Sequence, residues 1–111
     1  MSDTVDKFTD ALKDRGIDVD STMSMGPGLS LMYEHDPERA QQDAMTTALL
    51  YAEVPQVGDP LSVTVIDTSG PTDERVANYA VSRDLARRYN DGELSDIAYA
   101  NEVWWTWSEY Q

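Results

Sequence analysis

The apolar positions of the chain switch between two spacings, and each switch marks an element. In SDTVDKFTDALKDRG, Val5, Phe8 and Leu12 recur at three- and four-residue intervals, which lines one face of a helix. Ser2 is placed to cap that helix and Gly16 to stop it. The pattern then alternates. Ile17, Val19, Met23 and Met25 are expected to point one way, and Asp18, Asp20, Thr22 and Ser24 the other. GPG at 26–28 turns the chain, and Leu29, Leu31 and Tyr33 resume the alternation, which predicts a hairpin with one wet face. Helical spacing returns in HDPERAQQDAMTTALLYAEV, with Asp36 as N-cap and Pro37 at the first helical position. Its stripe of Ala40, Ala44, Thr47, Ala48 and Tyr51 is mostly small, so this helix can lie close to its neighbours and is expected to be the central one.

The second half repeats the order. Leu61, Val63 and Val65 alternate with Ser62 and Thr64, a turn passes through Gly70 and Pro71, and Ala77, Tyr79 and Val81 share a face. Ser82 caps a short helix, RDLARRYNDG, that ends between Asn90 and Gly92. Ser95 caps a last helix, DIAYANEVWWTWSEY. The only linker candidate, PQVGDP at 55–60, is too short to separate domains, so residues 1–111 are read as a single domain. The expected fold is α+β and two-layered, in the order α-β-β-α-β-β-α-α. It has a four-stranded antiparallel sheet of two hairpins, with the helices packed on one face.

A helical wheel sorts the aromatic tail. Ile97, Ala100, Val103, Trp104, Trp107 and Tyr110 fall on one stripe, which places Trp104 and Trp107 in the core. Trp105 falls off that stripe, at about 80° from Ile97 at 100° per residue. It either covers the helix at 83–90, near Tyr89 or an arginine stem, or stands exposed as an anchor for a partner.

Charge changes the picture most. The chain has 21 acidic residues against 8 basic ones, a formal net charge of −13, and only two lysines. Leu, Ile, Val and Phe make up 21 of 111 residues, a proportion that low being typical of disordered chains. Three Trp, six Tyr and the clean periodicities argue for a folded protein instead. A carboxylate-rich surface suits molar salt, where the Debye length falls to about 3 Å, so a halophilic origin is expected, with folding that depends on salt.

The stretches VTVIDTSG and NYAVSRDLARRYNDGELS resemble small acidic haloarchaeal proteins of an uncharacterised family. The likeness is close over residues 61–100 and rests on pattern alone over 1–60. It implies the fold and the origin, and no functional residue. The chain has no Cys, hence no disulfide or thiolate site, and its N-terminus is charged from the third residue. No apolar run approaches the roughly 20 residues of a membrane span. A cytoplasmic protein that contacts no membrane is expected.

Chemistry is thin. GPG lacks the lysine and the strand-to-helix setting of a phosphate loop. His35, the single histidine, lies in EHDPE, where Glu34 and Asp36 are read as solvent-facing and capping residues rather than metal ligands. DVDS at 18–21 lacks the Gly and Glu of a calcium loop. One histidine and no motif around any serine leave no triad, so no catalytic residue, metal or cofactor is assigned, and an enzyme is disfavoured. Nucleic acid is excluded as the main ligand because the net field repels phosphate.

Arg83, Arg87 and Arg88 concentrate three of the eight cations in one helix. They are either a local anion or partner site, or salt-bridged to Asp84, Asp91 or Glu93 with their stems on apolar surface. Two readings of function follow. The first is a non-catalytic interaction module that meets a protein partner or a second copy through Trp105 and the arginines. The second is a small-molecule binder or enzyme with a pocket between sheet and helices, lined by Met23, Met25, Tyr33 or Tyr79.

Overall fold

Helix α1 (Asp3–Asp14) buries Phe8 and Leu12, as its spacing predicts. The computed structural model describes residues 3–110, so the expected Ser2 cap lies outside the described residues. Strands β1 (Val19–Met25) and β2 (Gly28–Glu34) pair antiparallel through a two-residue turn, Gly26-Pro27. Gly26 sits at φ +58°, the first central position of a hairpin turn, where L-residues with a Cβ are strained.

Helix α2 (Ala40–Glu53) starts later than the sequence pattern predicts. The Asp36 carboxylate accepts the Glu38 amide at 3.0 Å, and the Asp36 carbonyl accepts the Arg39 amide. This Asx turn takes up the polar groups that would otherwise open the helix. A 3₁₀ turn (Pro55–Val57) and Gly58 bring the chain back to the sheet. A Cβ on Gly58 would lie 2.6 Å from the Leu29 amide nitrogen, and the Gly58 carbonyl accepts the Tyr51 hydroxyl at 2.6 Å. Strands β3 (Leu61–Asp67) and β4 (Glu74–Val81) form the second hairpin. Helices α3 (Arg83–Asn90) and α4 (Asp96–Trp104) follow, each capped as predicted. Ser82 Oγ accepts the Leu85 amide and Ser95 Oγ accepts the Ala98 amide, both at 3.1 Å.

The α+β class holds, but the sheet differs from the expected four antiparallel strands. Among the described residues it has five strands in the order β1-β2-β3-β4-β5, and β2 and β3 run parallel. The chain leaves β2 through α2 and returns to the same side, so two hairpins are joined as a β-α-β unit. Antiparallel neighbours can be linked by a tight turn, whereas parallel ones need a crossover of this length. The fifth strand, β5 (Ser108–Glu109), pairs antiparallel with Ala77 and Asn78 and comes from the segment expected to be helical.

α4 stops at Trp104 because Thr106 intervenes. Its hydroxyl donates to the Val103 carbonyl at 2.7 Å and accepts the Ala80 amide at 3.0 Å, turning the chain onto the edge of β4. The wheel therefore has no meaning beyond residue 104, and within α4 its stripe is centred on the wrong face. The buried face of α4 is Tyr99 and Val103, while Ile97, on the predicted apolar stripe, is 72% exposed. Trp104 and Trp107 are half-buried at the margin of the core rather than inside it.

The core lies between the helices and one face of the sheet. Leu29, Leu31, Tyr33, Leu61, Val63, Val65, Ala77, Tyr79 and Val81 supply the sheet side. Tyr51, Tyr99, Phe8 and the small residues Ala44, Thr47 and Ala48 supply the helical side. Tyr99 donates its hydroxyl to the Ala48 carbonyl at 2.7 Å and stacks on Tyr89 with ring centroids 4.6 Å apart, which ties α4 to both α2 and α3.

Candidate functional site

Strand β1 breaks the predicted alternation, and this decides what the open side of the sheet presents. Val19 pairs with Tyr33, but Ser21 pairs with Met32, so Asp20 is an extra residue in a β-bulge. One extra residue flips every following side chain to the opposite face. Thr22 and Ser24 now share the helix-side face with Leu31 and Leu29. Met23 and Met25, expected to point inward, are 65% and 60% exposed on the open face. Ser21, Met23 and Met25 on β1 lie there beside Ser30 and Met32 on β2. The register extends this face through Ser62 and Thr64 on β3 to Asn78 and Ala80 on β4. Tyr110 closes it beyond β5, its hydroxyl accepting from the Asn78 side-chain amide at 3.0 Å.

None of these side chains carries a charge, in a protein where 26% of residues do. The charges of the strands gather at one end of the sheet, where Asp20, Glu34, Asp67, Glu74 and Arg75 lie close to the strand termini. Acidic residues instead stud the helices: Asp6, Asp10 and Asp14 of α1 and Glu102 of α4 are all exposed. The exposed faces of α1 and α4 therefore carry carboxylates, while the middle of the open sheet face is neutral and built of Met, Ser and Thr. At the hairpin end that face carries a shallow depression of about 150 Å³, lined by Met25, Ser30, Pro60 and Ser62 among others.

Residues 21–33 contain no charged side chain, the longest such run in the chain. That run is the signal that marks this face, and reading β1 for periodicity alone overlooks it.

The residues singled out from the sequence lie elsewhere. Trp105 caps the C-terminus of α4 and is 79% exposed, so it does not cover α3. Arg87 reaches Asp84 Oδ1 at 2.6 Å and Asp91 Oδ2 at 3.3 Å, the salt-bridged arrangement, and these carboxylates hold its guanidinium above its usual value. Arg88 is half-buried, and the Arg83 amide donates to Asp59 Oδ1 at 2.9 Å. Met23, Met25, Tyr33 and Tyr79 do not share a pocket. The two methionines face away from the helices, and the two tyrosines close on each other with their hydroxyls 2.9 Å apart. Burial pushes both phenols well above the ordinary tyrosine range, so they stay neutral hydrogen-bonding partners.

A second polar cluster lies where β2 runs into α2. His35 is half-buried beside Trp107, at a ring-centroid distance of 6.5 Å, and its Nδ1 has no hydrogen-bond partner among the described residues. Asp43 is buried and pairs with Arg39 at 3.3 Å. Loss of water holds its carboxyl above the usual range, against the pull of that guanidinium. No group of three or more His, Cys, Asp or Glu side chains among the described residues could hold a metal ion. A surface groove of about 630 Å³ runs between α2 and α4 past Gln41, Met45, Ala100 and Trp104. No helix among the described residues is long and apolar enough to cross a membrane.

The positions of the tryptophans predict unequal effects. Trp105→Ala should change stability by less than about 0.5 kcal/mol, the range of exposed surface sites. Trp104→Ala removes a half-buried ring packed 4.6 Å from Trp107 and should cost about 2 kcal/mol, below the value for a fully buried ring. Urea titrations of the two variants check this, and equal losses would place Trp105 in the core.

The family model described as a domain of unknown function, DUF8159, matches residues 1–111. No curated protein and no solved structure matches the chain.

Proposed function

We propose that this chain, which belongs to the DUF8159 family of unknown function, is a non-catalytic interaction module that works through the open face of its sheet. One observation carries this reading: in a chain of net charge −13, the solvent-facing side of the sheet between its charged strand ends presents only neutral side chains among the described residues. Desolvating carboxylates is costly, so a partner meets least resistance on that face. Its methionines offer polarizable, adaptable contacts and its hydroxyls offer hydrogen bonds. The net charge of −13 supports a halophilic setting, in which the exposed carboxylates of α1 and α4 stay hydrated.

Position-specific photo-cross-linking tests the reading. A benzophenone side chain in place of Met23 should give covalent protein adducts in cells of the source organism. The same group in place of Asp6, on α1, should give none. Adducts from position 6 in place of position 23, or from neither, overturn the proposal.

A further inference from the structure

The two edges of the sheet are treated differently. β5 is a two-residue edge strand containing Glu109, and short, charged strands are the usual protection against pairing with another chain. β1 has seven residues and neither Lys nor Pro, and its bulge protects only the end near Asp20. From Ser21 to Met25 the edge is regular and uncharged.

The pairing of β1 with β2 determines which of its backbone groups are free. In a two-residue hairpin the flanking residues, here Met25 and Gly28, form a hydrogen-bonded pair, and such pairs alternate along the ladder. Met23–Ser30 and Ser21–Met32 are then the further hydrogen-bonded pairs. Thr22 and Ser24 direct their N–H and C=O groups away from the sheet. The Leu29 amide, opposite Ser24, agrees with this phase, since it donates away from β1 to the Pro60 carbonyl at 3.1 Å.

Resting on the interaction reading above, which it narrows to the β1 rim of the open face, we infer that the partner is a second copy of this chain, joined β1 to β1 in antiparallel register about a twofold axis at Met23. In that register Thr22 of each copy meets Ser24 of the other, so the free groups of both strands are used in four backbone hydrogen bonds. Met23 meets its own counterpart as a non-hydrogen-bonded pair, the closer kind, with Cα atoms about 4.5 Å apart. Asp20 falls opposite Gly26, where the other strand turns away, so no carboxylate faces another across the seam. Charge selects this approach for two copies of an acidic chain. Contact through two α1 surfaces would bring Asp6, Asp10 and Asp14 of each copy together, whereas the β1 edge joins two neutral faces into one ten-stranded sheet. Trp105, next to the β5 edge, stays outside the seam.

Light scattering after size exclusion in 3 M KCl tests the inference. The wild-type chain should elute near 24.8 kDa, twice its 12.4 kDa mass. Ser24→Pro removes a free N–H of the seam, and Met23→Glu places two carboxylates face to face at the axis. Each should elute at half the wild-type mass with an unchanged far-ultraviolet circular dichroism spectrum, while Trp105→Ala stays dimeric. Met23 is exposed, so Met23→Glu keeps the test decisive if Ser24→Pro fails to fold. A wild-type monomer at 100 µM, or a dimer that persists in Met23→Glu, overturns the pairing. If the wild-type chain is monomeric while the position-23 probe still cross-links to other proteins, only the second-copy partner is lost. If the probe captures nothing, the interaction reading fails with it.

Discussion

Replacing Tyr99 by Ala is expected to bring the protein to the edge of unfolding. Tyr99 is fully buried, donates to the Ala48 carbonyl on α2, and stacks on Tyr89 of α3. Truncating a buried large aromatic side chain costs about 3 to 5 kcal/mol, because the neighbours collapse only partly into the space. Domains of this size are stable by roughly 5 to 15 kcal/mol in total. At about 4 to 8 °C per kcal/mol, a fall in Tm on the order of 20 °C follows. Tyr99→Phe keeps the ring and loses one hydrogen bond, so it should cost only about 1 kcal/mol. Thermal melts in 3 M KCl separate the two. A Tyr99→Ala melt within a few degrees of wild type would mean that α4 is held by something other than this ring.

The second large effect is that of salt. Self-repulsion grows as the square of the net charge and is reduced by screening. The charge of −13 is confined to a body of 13.3 Å radius of gyration when folded. The unfolded chain spreads it over about 30 Å. Treated as charged spheres of those radii, the folded state is penalised relative to the unfolded one by roughly 12 kcal/mol at 0.01 M salt and roughly 4 at 1 M. The difference, on the order of 8 kcal/mol, rivals the whole stability of the domain. Circular dichroism across a KCl titration should show cooperative gain of structure. An unchanged spectrum and an unchanged urea midpoint from 0.05 to 3 M would refute it.

Mild acid should partly replace salt. Protonation lowers the net charge, and Asp43 adds to the effect in the same direction. Burial raises its folded pKa above the unfolded value, so the folded state takes up the proton first. Its contribution to stability therefore increases as pH falls through that raised value, and is lost as pH rises.

What the sequence makes legible here is what short-range chemistry decides. Ser82 and Ser95 cap their helices by bonding the amide three residues on, and both are readable from three or four letters. The two hairpins are readable from alternation and turn residues for the same reason. The parallel seam between β2 and β3 is not. Its pairs lie 32 residues apart, as Leu29 with Leu61, and nothing local states the direction of return.

Asp20 is a different kind of failure. A bulge adds one residue without changing composition, and it reverses the inferred face of Met23 and Met25. In the tail, the hydroxyl of Thr106 competes for a helix carbonyl and a strand amide at once. A wheel, which assumes an unbroken helix, has no means of registering that. The neutral sheet face was within reach, because the absence of charge over residues 21–33 is visible in the letters.

The parallel seam also orders events in time. The β1–β2 hairpin closes over two residues and the β3–β4 hairpin over six, Thr68 to Asp73, so both can form early and locally. Leu29 and Leu61 meet only after α2 has folded back across the sheet, and long-range pairings of this kind carry the largest loss of chain entropy before any gain. Closure of the seam that unites the halves is thus the step expected to gate folding. Until it closes, each hairpin exposes an inner edge at which the wrong strand can pair.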